Sequence, residues 1–144
     1  MNTFTAIDLM RDWDCEWFEL DPDLYEFLRP EPVPDLRAWT FDQRRVENWS
    51  AWLYRRFELP AELAAACVYL CIDSAPSPAR FYINDHLVST YVQPGDDDPP
   101  FELDVTHWLR PAGNHIAVRV EGCSVGRFEN VSLRAARPLR ARAT

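Results

Sequence analysis

Chemistry in this sequence has to come from its acids, its four cysteines or its three histidines, and spacing gathers none of them into a catalytic set. Hydrolysis by paired carboxylates takes two acids that flank the scissile bond on a rigid frame. Acids are plentiful, 23 Asp and Glu in all, yet no spacing singles out a pair. Neither a nucleophile elbow, nor a phosphate-cradling loop, nor a Ser/His/Asp order emerges. Cys67 and Cys71 stand four apart in a strand-like run, AACVYLCID. On one strand face they would lie about 13 Å apart, too far for a disulfide. His86, His107 and His115 are scattered without metal-ligand spacing. Cys15, Cys67, Cys71 and Cys123 therefore read as buried free thiols, which fits a reducing cytoplasm. Asp96, Asp97 and Asp98 offer the clustered oxygens that calcium favours. Consecutive acids read first as a solvated, self-repelling loop, so no cofactor is expected.

Binding is the chemistry that remains. An exposed Trp or Tyr offers a flat apolar face to a ligand, while acids and amides orient the ligand's polar groups. The least regular stretch, residues 30–48, reads PEPVPDLRAWTFDQRRVEN. Its prolines exclude a central strand over the first residues. A long irregular connection inside a compact domain is either functional or packed over the core. As a ligand loop it would offer Trp39, Glu47 and the adjoining Trp49, with Asp96 and Asp97 at a second loop tip. In the competing reading Trp39 and Phe41 plug the end of the fold.

The elements that would position these residues are strands. Trp13, Cys15 and Trp17 alternate with Asp14 and Glu16, and Leu53, Phe57 and Leu59 face away from Trp52, Tyr54, Arg56 and Glu58. Arg55 falls on the apolar side and needs a carboxylate or carbonyl partner there. Residues 67–73 carry apolar side chains on both faces, as a central strand does. SAPSP reads as a polar loop, and residues 80–90 as a hairpin turning at Asn84-Asp85, residues that tolerate positive φ. Phe101 and Leu103 open a strand that leads to Thr106, an N-cap for one helical turn stopped by Pro111. Alternation returns at Ile116, Val118 and Val120, and a short loop over 121–125 precedes a last strand near 128–135. Asp21-Pro22 starts a short amphipathic helix over residues 22–29.

A chain of 144 residues suits one domain, and 47% hydrophobic content with six Trp supports a sizeable core. Four Gly against twelve Pro favour a rigid β architecture. The formal charge of −8 makes nucleic acid and anionic membranes poor partners. No leader with a basic start and apolar run is visible, nor a membrane-length apolar stretch, so a cytoplasmic protein is expected. Residues 1–136 read as a single β-sandwich domain and 137–144 as a basic, flexible tail.

The order of landmarks resembles the N-terminal sugar-binding domain of family 2 glycoside hydrolases. The matching residues are Val33-Pro34, Trp52 with Arg55 and FELP at 57–60, then AxFYIN at 79–84. PFELDVTHWL at 100–109, GNHIAVRV at 113–120 and GRFENVSL at 126–133 follow in register. The resemblance implies an all-β fold, a jelly-roll sandwich of the galactose-binding-domain-like kind, with the short N-terminal helix added. It also implies that catalytic carboxylates belong to a separate barrel, for which this chain has no room, so no enzyme is expected. Asn84-Asp85 departs from the family's Asn-Gly, Leu53 stands at its Tyr position and Tyr54 at an Arg position. The long loop that helps build the glycosidase site is reduced here to 121–125. Two roles follow: a non-catalytic carbohydrate-binding module, or a protein-interaction domain that assembles with another protein or with itself as a homo-oligomer.

Overall fold

The computed structural model describes residues 6–19, 30–41 and 49–135. They form ten strands in two antiparallel sheets. The smaller sheet has the order β1 (Ala6–Asp8), β10 (Glu129–Ala135), β5 (Val68–Ser74) and β8 (Phe101–Asp104). The larger runs β3 (Glu31–Asp35), β2 (Arg11–Glu19), β4 (Trp49–Phe57), β9 (Asn114–Val125), β6 (Ser77–Ile83) and β7 (His86–Tyr91). One short helix, Ala61–Ala64, joins β4 to β5. The all-β sandwich read from the sequence is the fold observed. The helix expected over residues 22–29 lies outside the described residues.

Alternation decides which face each strand buries. Trp13, Cys15 and Trp17 of β2, Ala51, Leu53 and Phe57 of β4, and Ile116, Val118 and Val120 of β9 all point between the sheets. There they meet Leu70 and Ile72 of β5 and Val131 and Leu133 of β10. Phe81, Tyr91 and Phe128 are fully buried in the same core. Each such ring is worth about 3–5 kcal/mol against alanine, from lost transfer energy plus the cavity left behind.

Several elements depart from the expectation for local reasons. Pro32 and Pro34 do stand in a strand, but β3 is an edge, where a missing N–H costs no ladder bond. SAPSP is only partly a loop, because Ser77 and Pro78 already begin β6. β9 continues through 121–125, where a loop was expected, since Val125 pairs with Ser77 across a register shift. Ser124 Oγ also donates to Pro78 O at 2.6 Å. Of the four free thiols Cys15 and Cys71 are buried, whereas Cys67 and Cys123 are exposed. The Asn84-Asp85 turn has φ of 49° and 70°, the pair of positive values a type I′ hairpin requires.

Two polar contacts hold elements together, Arg55 between the sheets and Thr106 within the smaller one. Arg55 does find carbonyl partners: its Nη1 donates to Asp8 O at 3.2 Å and Arg11 O at 2.9 Å. Those two carbonyls bracket the crossing from β1 to β2, whose Leu9 and Met10 are buried. The turn after β8 is a 3-10 turn, Thr106–Trp108, and its capping side chain is not Thr106. Asp104 Oδ1 accepts from Thr106 N at 3.0 Å and from Thr106 Oγ1 at 2.6 Å. That leaves Thr106 Oγ1 to accept from Val68 N at 2.9 Å, pinning the start of β5.

Candidate functional site

The structure describes four of the five residues that the sequence nominated. Trp39 is 8% exposed and sits inside an aromatic plug. Its ring stacks on Trp17 at 5.9 Å, meets Phe41 edge-on at 6.3 Å and tilts against Phe128 at 5.8 Å. Both of its faces belong to the core, so the end-plug reading describes Trp39. Trp49, at the start of β4, is half-buried and packs against the core. Glu47 lies outside the described residues. Asp96 and Asp97 are exposed in a turn that Asp98 closes, its Oδ2 accepting from Gly95 N at 2.7 Å. Among the described residues no three His, Cys, Asp or Glu side chains converge as a metal site would need.

An aromatic surface does exist, on the outer face of the six-stranded sheet. Side chains facing away from the core line up across strands, because antiparallel register places partners side by side. One row runs Asp14, Tyr54, Ala117, Tyr82, Leu87 across β2, β4, β9, β6 and β7. The next runs Glu16, Trp52, Arg119, Arg80, Thr90 over the same strands. Trp52 and Tyr82 lie diagonally, with centroids 5.1 Å apart at 42°. Trp52, Tyr54 and Tyr82 are all half-buried, so each keeps solvent-facing ring surface. Ala117, between the two tyrosines in this row, carries only a methyl group.

Charges rim this surface. Arg119 places its guanidinium 5.6 Å from the Trp52 ring centre, a cation–π contact. Its Nε is 2.8 Å from Glu121 Oε1, close enough for an ion pair but aligned too poorly for a hydrogen bond. That Nε is itself buried beside Glu121 and closed to solvent. Tyr54 OH donates to Glu16 Oε1 at 3.1 Å. Burial, reinforced by that bond to Glu16, pushes the phenol up to about 12. At neutral pH Tyr54 is thus a neutral ring with a directed hydroxyl. Flat rings beside forked donors and carboxylate acceptors are the groups that hold a polyhydroxylated ring, apolar face down. Strand alternation put Trp52 and Tyr54 on a common face. Tyr82 and Arg119 join them only through the pairing of β4, β9 and β6.

No protein-family model matches the sequence, and no curated protein matches it. Solved structures share the fold. The Bacteroides uniformis β-glucuronidase superposes with a TM-score of 0.67 at 16% identity, over 92% of this chain and 18% of that one. A Ruminococcus gnavus β-glucuronidase in complex with D-glucaro 1,5-lactone gives 0.61 at 15% identity, over 92% and 29%. A Bifidobacterium dentium β-glucuronidase complexed with coumarin-3-O-glucuronide gives 0.62 at 22% identity, over 84% and 21%. The present chain thus spans between 18% and 29% of the length of these proteins. No helix among the described residues is long and apolar enough to cross a membrane.

Proposed function

We propose that this chain is a non-catalytic saccharide-binding module that uses the open face of its six-stranded sheet. The observation that carries the reading is the aromatic surface of Trp52, Tyr54 and Tyr82 with Arg119, Glu16 and Glu121 at its margins. The shared fold supports it, since glucuronide-processing proteins include a unit of this architecture as a fraction of their length. On this reading the flat face takes one side of a sugar ring, and Arg119 and the carboxylates bond its hydroxyls.

Titration calorimetry and affinity electrophoresis against galactosides, glucuronides and soluble plant or bacterial polysaccharides test it. A stacked ring contributes about 1 kcal/mol, so Trp52→Ala or Tyr82→Ala should weaken binding about five- to tenfold. Trp39→Phe, buried on the core side, should leave affinity unchanged. A second reading rests on the same face. Phe18 and Leu87, 40% and 51% exposed, widen it toward both edges, as a protein-docking surface would require. Absence of any glycan binding, together with a concentration-dependent dimer in sedimentation that Leu87→Asp abolishes, would select that reading instead.

A further inference from the structure

The outer face of the other sheet carries a second set of groups, independent of the aromatic surface. It holds an open depression of about 730 Å³, within the range of small-molecule sites. Two cross-strand rows form its floor. One is Ala6, Arg134, Tyr69 across β1, β10 and β5, and the other is Asp8, Ser132, Cys71, Glu102 across β1, β10, β5 and β8. Arg37, from the 3-10 turn Leu36–Ala38 after β3, adds a wall.

The hydrogen-bonding capacity of this depression is unevenly used. Arg134 spends only Nε, donating to Ser132 Oγ at 3.0 Å. Neither Arg134 nor Arg37 has a carboxylate within ion-pair distance among the described residues, although the chain carries 23 acids against 15 bases. Asp8 is partly engaged, its Oδ1 accepting from Met10 N at 3.0 Å. Glu102, on the β8 rim, has no hydrogen-bond donor among the described residues. Burial pushes the Cys71 thiol up, and the positive charge of Arg134 opposes that rise. The Tyr69 side chain, half-buried, lines the depression between these groups.

We infer that this depression is a binding site for a small hydroxycarboxylate, whose carboxylate pairs with Arg134 and Arg37 while its hydroxyls donate to Glu102 and Asp8. Guanidinium forks match a carboxylate in geometry as well as charge. The spare carboxylate oxygens at the margin accept hydroxyl protons but repel a second anionic group. Selectivity for hydroxylated over purely anionic ligands follows from that division.

D-glycerate, one carboxylate with two hydroxyls, is the probe, with propionate lacking the hydroxyls, glycerol lacking the carboxylate, and sodium chloride at matched ionic strength. Calorimetry and the thermal midpoint are read on the full chain. Glycerate is expected to bind saturably and raise the midpoint, with propionate at least fivefold weaker and glycerol and chloride silent. Arg134→Gln should weaken glycerate at least tenfold, with the unliganded midpoint unchanged because the side chain is exposed. Glu102→Gln should weaken glycerate but not propionate. Trp52→Ala should leave glycerate binding intact, which separates this site from the proposed saccharide surface. The inference is overturned if no saturable binding occurs, if propionate equals glycerate, if chloride reproduces the shift, or if Arg134→Gln binds as the parent does.

Discussion

Asn84 and Asn114 are bonded side chain to side chain in the interior, Nδ2 of the first donating to Oδ1 of the second at 3.0 Å. Both are almost fully buried, at 2% and 1% exposure. Asn84 also donates to Trp108 O at 2.7 Å and accepts from His115 N at 3.0 Å. Asn114 accepts from Arg110 N and donates to Arg110 O, at 2.7 and 2.9 Å. The pair thereby locks the β6–β7 hairpin to the turn that precedes β9.

Truncating Asn84 strands the Trp108 carbonyl and the His115 N–H inside the protein. An orphaned buried group costs about 1–3 kcal/mol, so Asn84→Ala should lower stability by about 3 kcal/mol, part of it from an alanine at positive φ. Asn84→Gly relieves the backbone term only and should fall between the two. Guanidinium unfolding checks this: the midpoint should drop while the slope stays constant.

Acid should loosen the connection between β8 and β5. Two hydrogen bonds from Thr106, the hydroxyl first and the N–H second, hold the Asp104 carboxyl below the usual carboxylate range. A depressed folded value means that the unfolded chain binds the proton first as pH falls. The contribution is therefore present above about pH 4 and disappears as pH drops through the folded value. Asp104 is exposed, so solvent screening keeps the effect modest. Asp104→Asn should flatten the acid limb of the stability profile, and Thr106→Val should do the same while also freeing Val68 N.

What the sequence displays and what it hides divide along the range of the interactions. Alternation within one strand exposed the buried faces of β2, β4 and β9, and Asn-Asp marked its turn, because both signals are local. Trp39 could not be placed that way. Its neighbours Ala38 and Thr40 are exposed, and its burial comes from Trp17 and Phe128, brought together only when the sheets close. The aromatic surface was half legible for the same reason: Trp52 and Tyr54 share a strand, but Tyr82 and Arg119 arrive by register. At the cap, Thr106 has the right residue type, but its own N–H donates to Asp104 two positions earlier and its hydroxyl is drawn off to Val68.

Arg55 tests whether a half-buried cation here serves the fold. Arg55→Met keeps most of the stem but abandons the carbonyls of Asp8 and Arg11 at the sheet crossing. The expected loss is about 2 kcal/mol, from hydrogen bonds to a charged donor and two weakened acceptors. Amide exchange in β1 and in the first residues of β2 should quicken more than in β6. Equal acceleration everywhere would mean that Arg55 supports the sandwich as a whole and not the crossing.

Tyr54 offers a spectroscopic view of the proposed saccharide surface that does not depend on finding the ligand. Its phenol sits at about 12, raised first by burial and then by the bond to Glu16. The unfolded tyrosine ionises near 10, so between about pH 10 and 12 the unfolded chain loses this proton while the folded chain keeps it. Stability from this group is thus complete below about pH 10 and is lost as pH rises through the folded value. Absorbance at tyrosinate wavelengths should show a late-titrating phenol that vanishes in Tyr54→Phe. Glu16→Gln should bring that transition to lower pH, because it removes a negative neighbour while leaving an acceptor in place. A saccharide seated on Trp52 and Tyr82 should cover Tyr54 as well and delay the same transition further. A ligand that binds without moving it would have to sit elsewhere on the protein.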